Sequence, residues 1–170
     1  MKNVMLGGVN VLLLLGLASG GDNWPQWRGP ALNGTTDSAD LPVTWSEKEN
    51  IRWKAPLPSW SAASPVIWGD RIFVTSPDAA GSGPDAKVVK GGFGKRKVEA
   101  EDLLLLCFSK KDGKEVWRTK LGGGNCLFGK HNMSTPSPVT DGKSVWVLTG
   151  TGIVTGLDVD GKILWQIDLQ

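Results

Sequence analysis

Few residues of this 170-residue chain could do acid-base, nucleophilic or metal chemistry, and each has a plain structural alternative. His131 is the single histidine, so a Ser-His-Asp triad or a histidine metal site would rest on that side chain alone. A solvated loop histidine is the simpler reading. Cys107 and Cys126 stand 19 positions apart, wider than the C-x-x-C spacing of redox motifs. A structural disulfide between them and a pair of free thiols are both open, because spacing does not tell whether two Cβ atoms come within bridging reach. Lys87 to Lys97 carries five positive charges among glycines, but Gly94-Lys95 is followed by Arg96, where a phosphate-cradling loop needs Ser or Thr. It reads as a mobile, solvated surface loop whose charge could meet an anionic polysaccharide or a membrane surface. Trp24 and Trp27 beside Arg28 could form a cation-π surface, although a strap closing the first structural unit is the stronger expectation.

The elements that must position these residues are short. Hydrophobic residues make up 40% and charged residues 21% of the chain, the composition of an ordinary globular domain and not of a disordered, collagenous or coiled-coil chain. A net charge of +2 supplies no basic field for nucleic acid. With 23 Gly, 10 Pro, 9 Trp and no Tyr, and no long helical pattern, the composition favours strands joined by tight turns. The first twenty residues stand apart: Lys2, an apolar stretch from Val4 to Leu17, then Ala18-Ser19-Gly20. These read as a secretory signal peptide cut near Gly20. The apolar stretch falls short of the roughly 20 residues that span a bilayer, and no cysteine at the cleavage region could take a lipid. The mature protein is thus expected to be secreted or periplasmic, without a transmembrane segment, and not a lipoprotein.

Beyond the leader the chain repeats itself. Placing Trp117 over Trp165 aligns Cys107 to Trp117 with Gly156 to Trp165, and upstream Ser64 to Val74 resembles Ser137 to Val147. Asp112-Gly113 and Asp160-Gly161 are the strongest short hairpin signals, and Gly69-Asp70 and Asp141-Gly142 mark two further turns. Ile72 and Val74, like Val145 and Val147, share one face of their strands by alternation. Leu103-Leu104-Leu105-Leu106 reads as an inner strand apolar on both sides, with a buried helix segment as the alternative. Asn50 to Leu57 matches only the last strand of the unit. The first copy is longer than the second by 25 residues, placed within about 77–102; without them the Trp53 to Trp117 spacing falls to 39. A four-stranded unit recurring about every 40 residues is the blade of a β-propeller. The expected organisation is a signal peptide over 1–20, an N-terminal strap over 21–50 and blades over 51–170. The expected fold is all-β, with four-stranded antiparallel blades, about two to three of them, in an incomplete ring. Propellers close with 4 to 8 blades, so the stop at Gln170 without a terminal strap points to a longer protein, or else to self-association.

Leu157-Asp158, Asp160-Gly161-Lys162 and Trp165, with the looser copy Gly113-Lys114-Glu115-Val116-Trp117, resemble the tryptophan repeat of pyrroloquinoline-quinone (PQQ)-like β-propellers. Two families share that repeat: the quinoprotein dehydrogenases, and the non-enzymatic propeller lipoprotein of outer-membrane β-barrel assembly. The opening Trp24-Pro25-Gln26-Trp27-Arg28-Gly29-Pro30, with Leu41-Pro42, Trp45 and Asn50 to Trp53, resembles the start of secreted bacterial PQQ-like repeat proteins. The resemblance implies that Trp53, Trp117 and Trp165 dock between adjacent blades, each indole N-H finding a backbone acceptor. Quinoprotein alcohol dehydrogenases are expected to show adjacent cysteines over the cofactor, a calcium held by acid and amide side chains, and a catalytic aspartate. Cys107 and Cys126 are not adjacent, and Asp112, Asp141 and Asp160 are explained by their turns. The favoured reading is a non-catalytic binding or scaffold propeller with no expected cofactor and an unidentified protein or polysaccharide partner. The alternatives are a PQQ- and calcium-dependent oxidoreductase whose catalytic residues lie in further blades, and a carbohydrate-binding propeller. Candidate ligand positions are Trp60, in the connection between units, and Asn125, His131 and Asn132, in the corresponding long connection.

Overall fold

The computed structural model describes residues 23–78, 88–90, 96–98, 102–127 and 131–170, so the leader lies outside the described residues. Two hairpins of the first repeat build one antiparallel sheet in the order β1-β2-β5-β6: β1 (Val66–Trp68), β2 (Arg71–Pro77), β5 (Asp102–Ser109) and β6 (Glu115–Gly123). The second repeat builds its copy, β8 (Val139–Thr140), β9 (Ser144–Leu148), β10 (Ile153–Asp158) and β11 (Ile163–Asp168), in the order β11-β10-β9-β8. Each turn that the sequence marks is present, with Gly69, Gly113, Gly142 and Gly161 all at positive φ. The two sheets are blades lying face to face, and they do not close a ring.

β5 explains the packing. Its strand buries six successive residues from Leu103 to Phe108, a run that alternation divides between two cores. Leu103, Leu105 and Cys107 join Val66, Phe73, Leu121, Val145, Val147 and Leu157 in the core between the blades. Leu104, Leu106 and Phe108 join Val74 on the opposite face, where Ile72 and Ala55 pack against them. The helix alternative for the leucine run is thereby excluded. Val145 and Val147 face the first blade, whereas Ile72 and Val74, at the matching repeat positions, face the chain segment that precedes that blade.

Three expectations need correction. Residues 51–57 form no strand, because a strand requires a ladder partner and the described residues place none beside them. The insertion is not simply a solvated loop: Val88–Lys90 (β3) pairs with Arg96–Val98 (β4), and β4 pairs with Cys126–Leu127 (β7) in a small third sheet. The rest of 79–101, with Lys87 and Lys95, lies outside the described residues. Finally, Cys107 and Cys126 are free thiols. Cys107 pairs with Trp117, five residues along β5 from the Asp102-Gly123 pair, a run of about 17 Å at the strand rise. Cys126 follows beyond Gly123 at the far end of the blade, out of disulfide reach.

Candidate functional site

The blades have two ends of different chemistry. One end gathers the tight turns, where the Lys110 N-H donates to the Asp70 carbonyl at 2.8 Å. Here the tryptophan repeat operates twice. Trp53 Nε1 donates to the Lys110 carbonyl at 3.0 Å, and Trp117 Nε1 donates to the Val159 carbonyl at 3.1 Å. Lys110 and Val159 are matching residues of the two turns. Each indole lies on the glycine that follows: a Cβ on Gly161 would stand 2.7 Å from the Trp117 ring, and one on Gly113 would strike Trp53. The Asp-Gly turn is therefore both a hairpin device and the docking plate for the preceding tryptophan.

The aspartates of these turns are structural. The Ser109 hydroxyl and the Lys114 backbone N-H hold the Asp112 carboxyl below the usual carboxylate range, and the Ser144 and Lys143 backbone N-H groups do the same for Asp141. In the second blade the shorter turn changes the assignment. Asp158 accepts the Asp160 and Lys162 N-H groups at 3.0 and 2.9 Å, leaving Asp160 to pair with Arg71 of the first blade at 2.8 Å. Arg71 also donates to the Val159 carbonyl. The sequence reading missed Arg71, and the available signal was a guanidinium standing where the matching repeat has Ser144.

The other end gathers the connections between blades, where the sequence places the candidate ligand residues. Trp60 is 47% exposed and His131 is exposed, but Asn125 and Asn132 are buried. Asn132 Nδ2 donates to the Trp60 carbonyl at 2.8 Å, while its Oδ1 accepts the Ser134 N-H and hydroxyl. Asn125 Oδ1 accepts the Met133 N-H at 3.1 Å. Around them Thr75 donates to the Ser134 carbonyl at 2.7 Å, Ser61 donates to the same carbonyl at 3.1 Å, and the Ser64 N-H donates to Ser137 Oγ at 2.8 Å. The expected ligand surface is thus divided: Trp60 and His131 face solvent, while Asn132 ties its connection to the one holding Trp60 and Asn125 braces its own connection at Met133. Loop composition cannot separate these roles, because both use the same polar residue types.

The N-terminal strap runs along the inner edges of both blades. The Trp24 N-H and carbonyl pair with Ile67 at 2.8 Å each, and the Thr140 N-H donates to the Pro25 carbonyl at 2.9 Å. These bonds cap β1 and β8, strand edges that would otherwise offer unpaired backbone groups. Trp27 stays exposed, with the Arg28 guanidinium 4.3 Å from its ring centroid.

The described residues do not fit a quinone-calcium centre. No group of three or more His, Cys, Asp or Glu among them could hold a metal ion. The loop-end amides are occupied as above, and burial pushes the Cys107 thiol up to about 11, leaving it protonated at neutral pH.

Two face-packed antiparallel blades joined by tryptophan docking define an incomplete β-propeller of the PQQ-like class. The family model described as outer membrane protein assembly factor BamB matches residues 34–170, and the chain belongs to that PQQ-repeat family. No curated protein matches it.

Proposed function

We propose that this protein is a secreted or periplasmic propeller module that binds or scaffolds other molecules without catalysing a reaction. The observation that carries the reading is the use made of the polar side chains at the loop end. Thr75, Asn132 and Ser134 are buried and bonded to one another's connections, which makes a rigid seam where a catalyst would keep reactive groups poised. The assembly-factor description of the family points the same way, toward recognition. Partners would be a protein or a polysaccharide, meeting the protein through exposed aromatic and apolar surface. One such surface is the outer face of β11, where Leu164, Trp165 and Ile167 are exposed. A further blade, or a second copy of the chain, would cover it. Purified protein supplied with PQQ, calcium, a redox dye and a panel of alcohols and aldoses is expected to give no turnover and no tight quinone binding. Either activity or stoichiometric quinone binding would overturn the scaffold reading in favour of the dehydrogenase one.

A further inference from the structure

Between the strap and the inner strand of the first blade lies a cleft of about 640 Å³, within the range of small-molecule sites. Trp24, Pro30, Leu41 and Ile67 supply its apolar surface, and Asn33, Thr35, Thr36, Asp37 and Ser38 its polar one. We propose that this cleft binds a short, neutral oligosaccharide.

Three features support that ligand class. The first is the pairing of an indole with hydroxyl, amide and carboxylate groups. An indole covers the C-H face of a sugar ring, while an amide donor and a carboxylate acceptor bond to its hydroxyls. The second is available bonding capacity. Asn33 Oδ1 already accepts the Thr35 N-H at 3.0 Å and the Thr35 hydroxyl at 2.9 Å, which orients the amide, and its Nδ2 donates to no described residue. The Asp37 carboxylate likewise has no partner among the described residues. The walls carry one acid, Asp37, and one base, Lys110, a balance that favours a neutral ligand over an ion. The third is a fixed wall next to a strained turn. Trp24 is held by an isolated backbone bridge to Ile67 of β1, and the Gly69 N-H donates to Asn23 Oδ1 at 2.8 Å. Leu32, just before Asn33, adopts a left-handed backbone, φ 59°, with its side chain exposed. That geometry is unfavourable for leucine and recoups nothing in packing, as expected where turn geometry serves a site.

The proposal deepens the binding reading, giving its polysaccharide partner a site, but does not depend on the absence of catalysis. Quinone turnover would defeat the scaffold reading and leave this one standing. Isothermal titration of the whole protein with cellobiose, maltose and N,N′-diacetylchitobiose is expected to show saturable one-to-one binding of at least one. Asp37→Ala and Asn33→Ala, both at exposed positions, are each expected to weaken it about tenfold or more, the loss of one strong hydrogen bond. Trp27→Ala, outside the cleft, should leave affinity unchanged. Absence of saturable binding by all three sugars would overturn the proposal, as would binding that survives both cleft substitutions undiminished in variants whose thermal unfolding matches the parent.

Discussion

The two blades share one design and differ in what covers them. The first is covered on both faces, by the second blade over Phe73, Leu103 and Leu105 and by the Ala55 segment over Val74, Leu104 and Leu106. Among the described residues the second is covered on one face only, and Leu148, Leu164 and Ile167 are exposed on it. The tryptophans show the consequence. Trp117 meets Phe73 at a ring separation of 5.8 Å and donates across the interface to Val159. Trp165, at the same place in the repeat, lies over Gly156 of its own blade and is 41% exposed. A repeat residue therefore acquires its energetic weight from its neighbour, since burial is a property of the interface and not of the residue type.

The sharpest way to test that comparison is to truncate both side chains. Trp117→Ala is expected to cost about 3 to 5 kcal/mol, as for a large aromatic removed from a packed interface. Trp165→Ala should cost under about 1 kcal/mol, as for a surface change. Chemical denaturation of the two variants measures both, and equal losses would mean that the open face is covered in solution.

A smaller effect separates two glycines of similar φ. Gly161 (φ 88°) faces the Trp117 ring, whereas Gly34 (φ 77°) faces open space. Alanine at either position meets backbone strain, but only at Gly161 does it also collide with the docking indole. Thermal unfolding should place Gly161→Ala about 2 kcal/mol or more below the parent and Gly34→Ala about 1 kcal/mol below. Similar losses would show that the indole can move aside.

The smallest effect is titratable. Cys107 of the first blade has Gly156 as its counterpart, since the two pair with Trp117 and Trp165 respectively. Burial raises the Cys107 thiol from 9.0 to about 11. The folded state therefore disfavours the thiolate, so its stability is full below pH 9 and falls as pH rises toward 11. The loss should be on the order of 1 kcal/mol by pH 10. Urea midpoints of the parent and Cys107→Val across pH 8 to 10.5 should diverge by that slope. Parallel curves would mean that Cys107 is hydrated in the folded protein.

Much of the blade was legible because its determinants are local. Asp-Gly turns and alternation each act within a few residues, and the recurrence of the tryptophan unit is visible by comparing one stretch with another, so reading along the chain locates the strands and the repeat. The purpose of the polar residues was not legible in the same way. Asn125 and Asn132 read as ligand-binding loop amides, yet both are buried, and Asn132 bonds to the Trp60 carbonyl, a partnership spanning more than seventy positions. Arg71 and Asp160, 89 positions apart, and the strap cleft around Asn33 and Asp37 are likewise products of chain segments meeting in space.

Turn chemistry and hydrophobic period are short-range, so the sequence by itself determined the all-β repeat and its Asp-Gly turns. Which face of each blade is covered, which thiols can meet and which amides face solvent depend on contacts between distant segments. Those questions were decided only by the tertiary structure, because burial and hydrogen-bond partnership arise between elements that the linear order keeps apart.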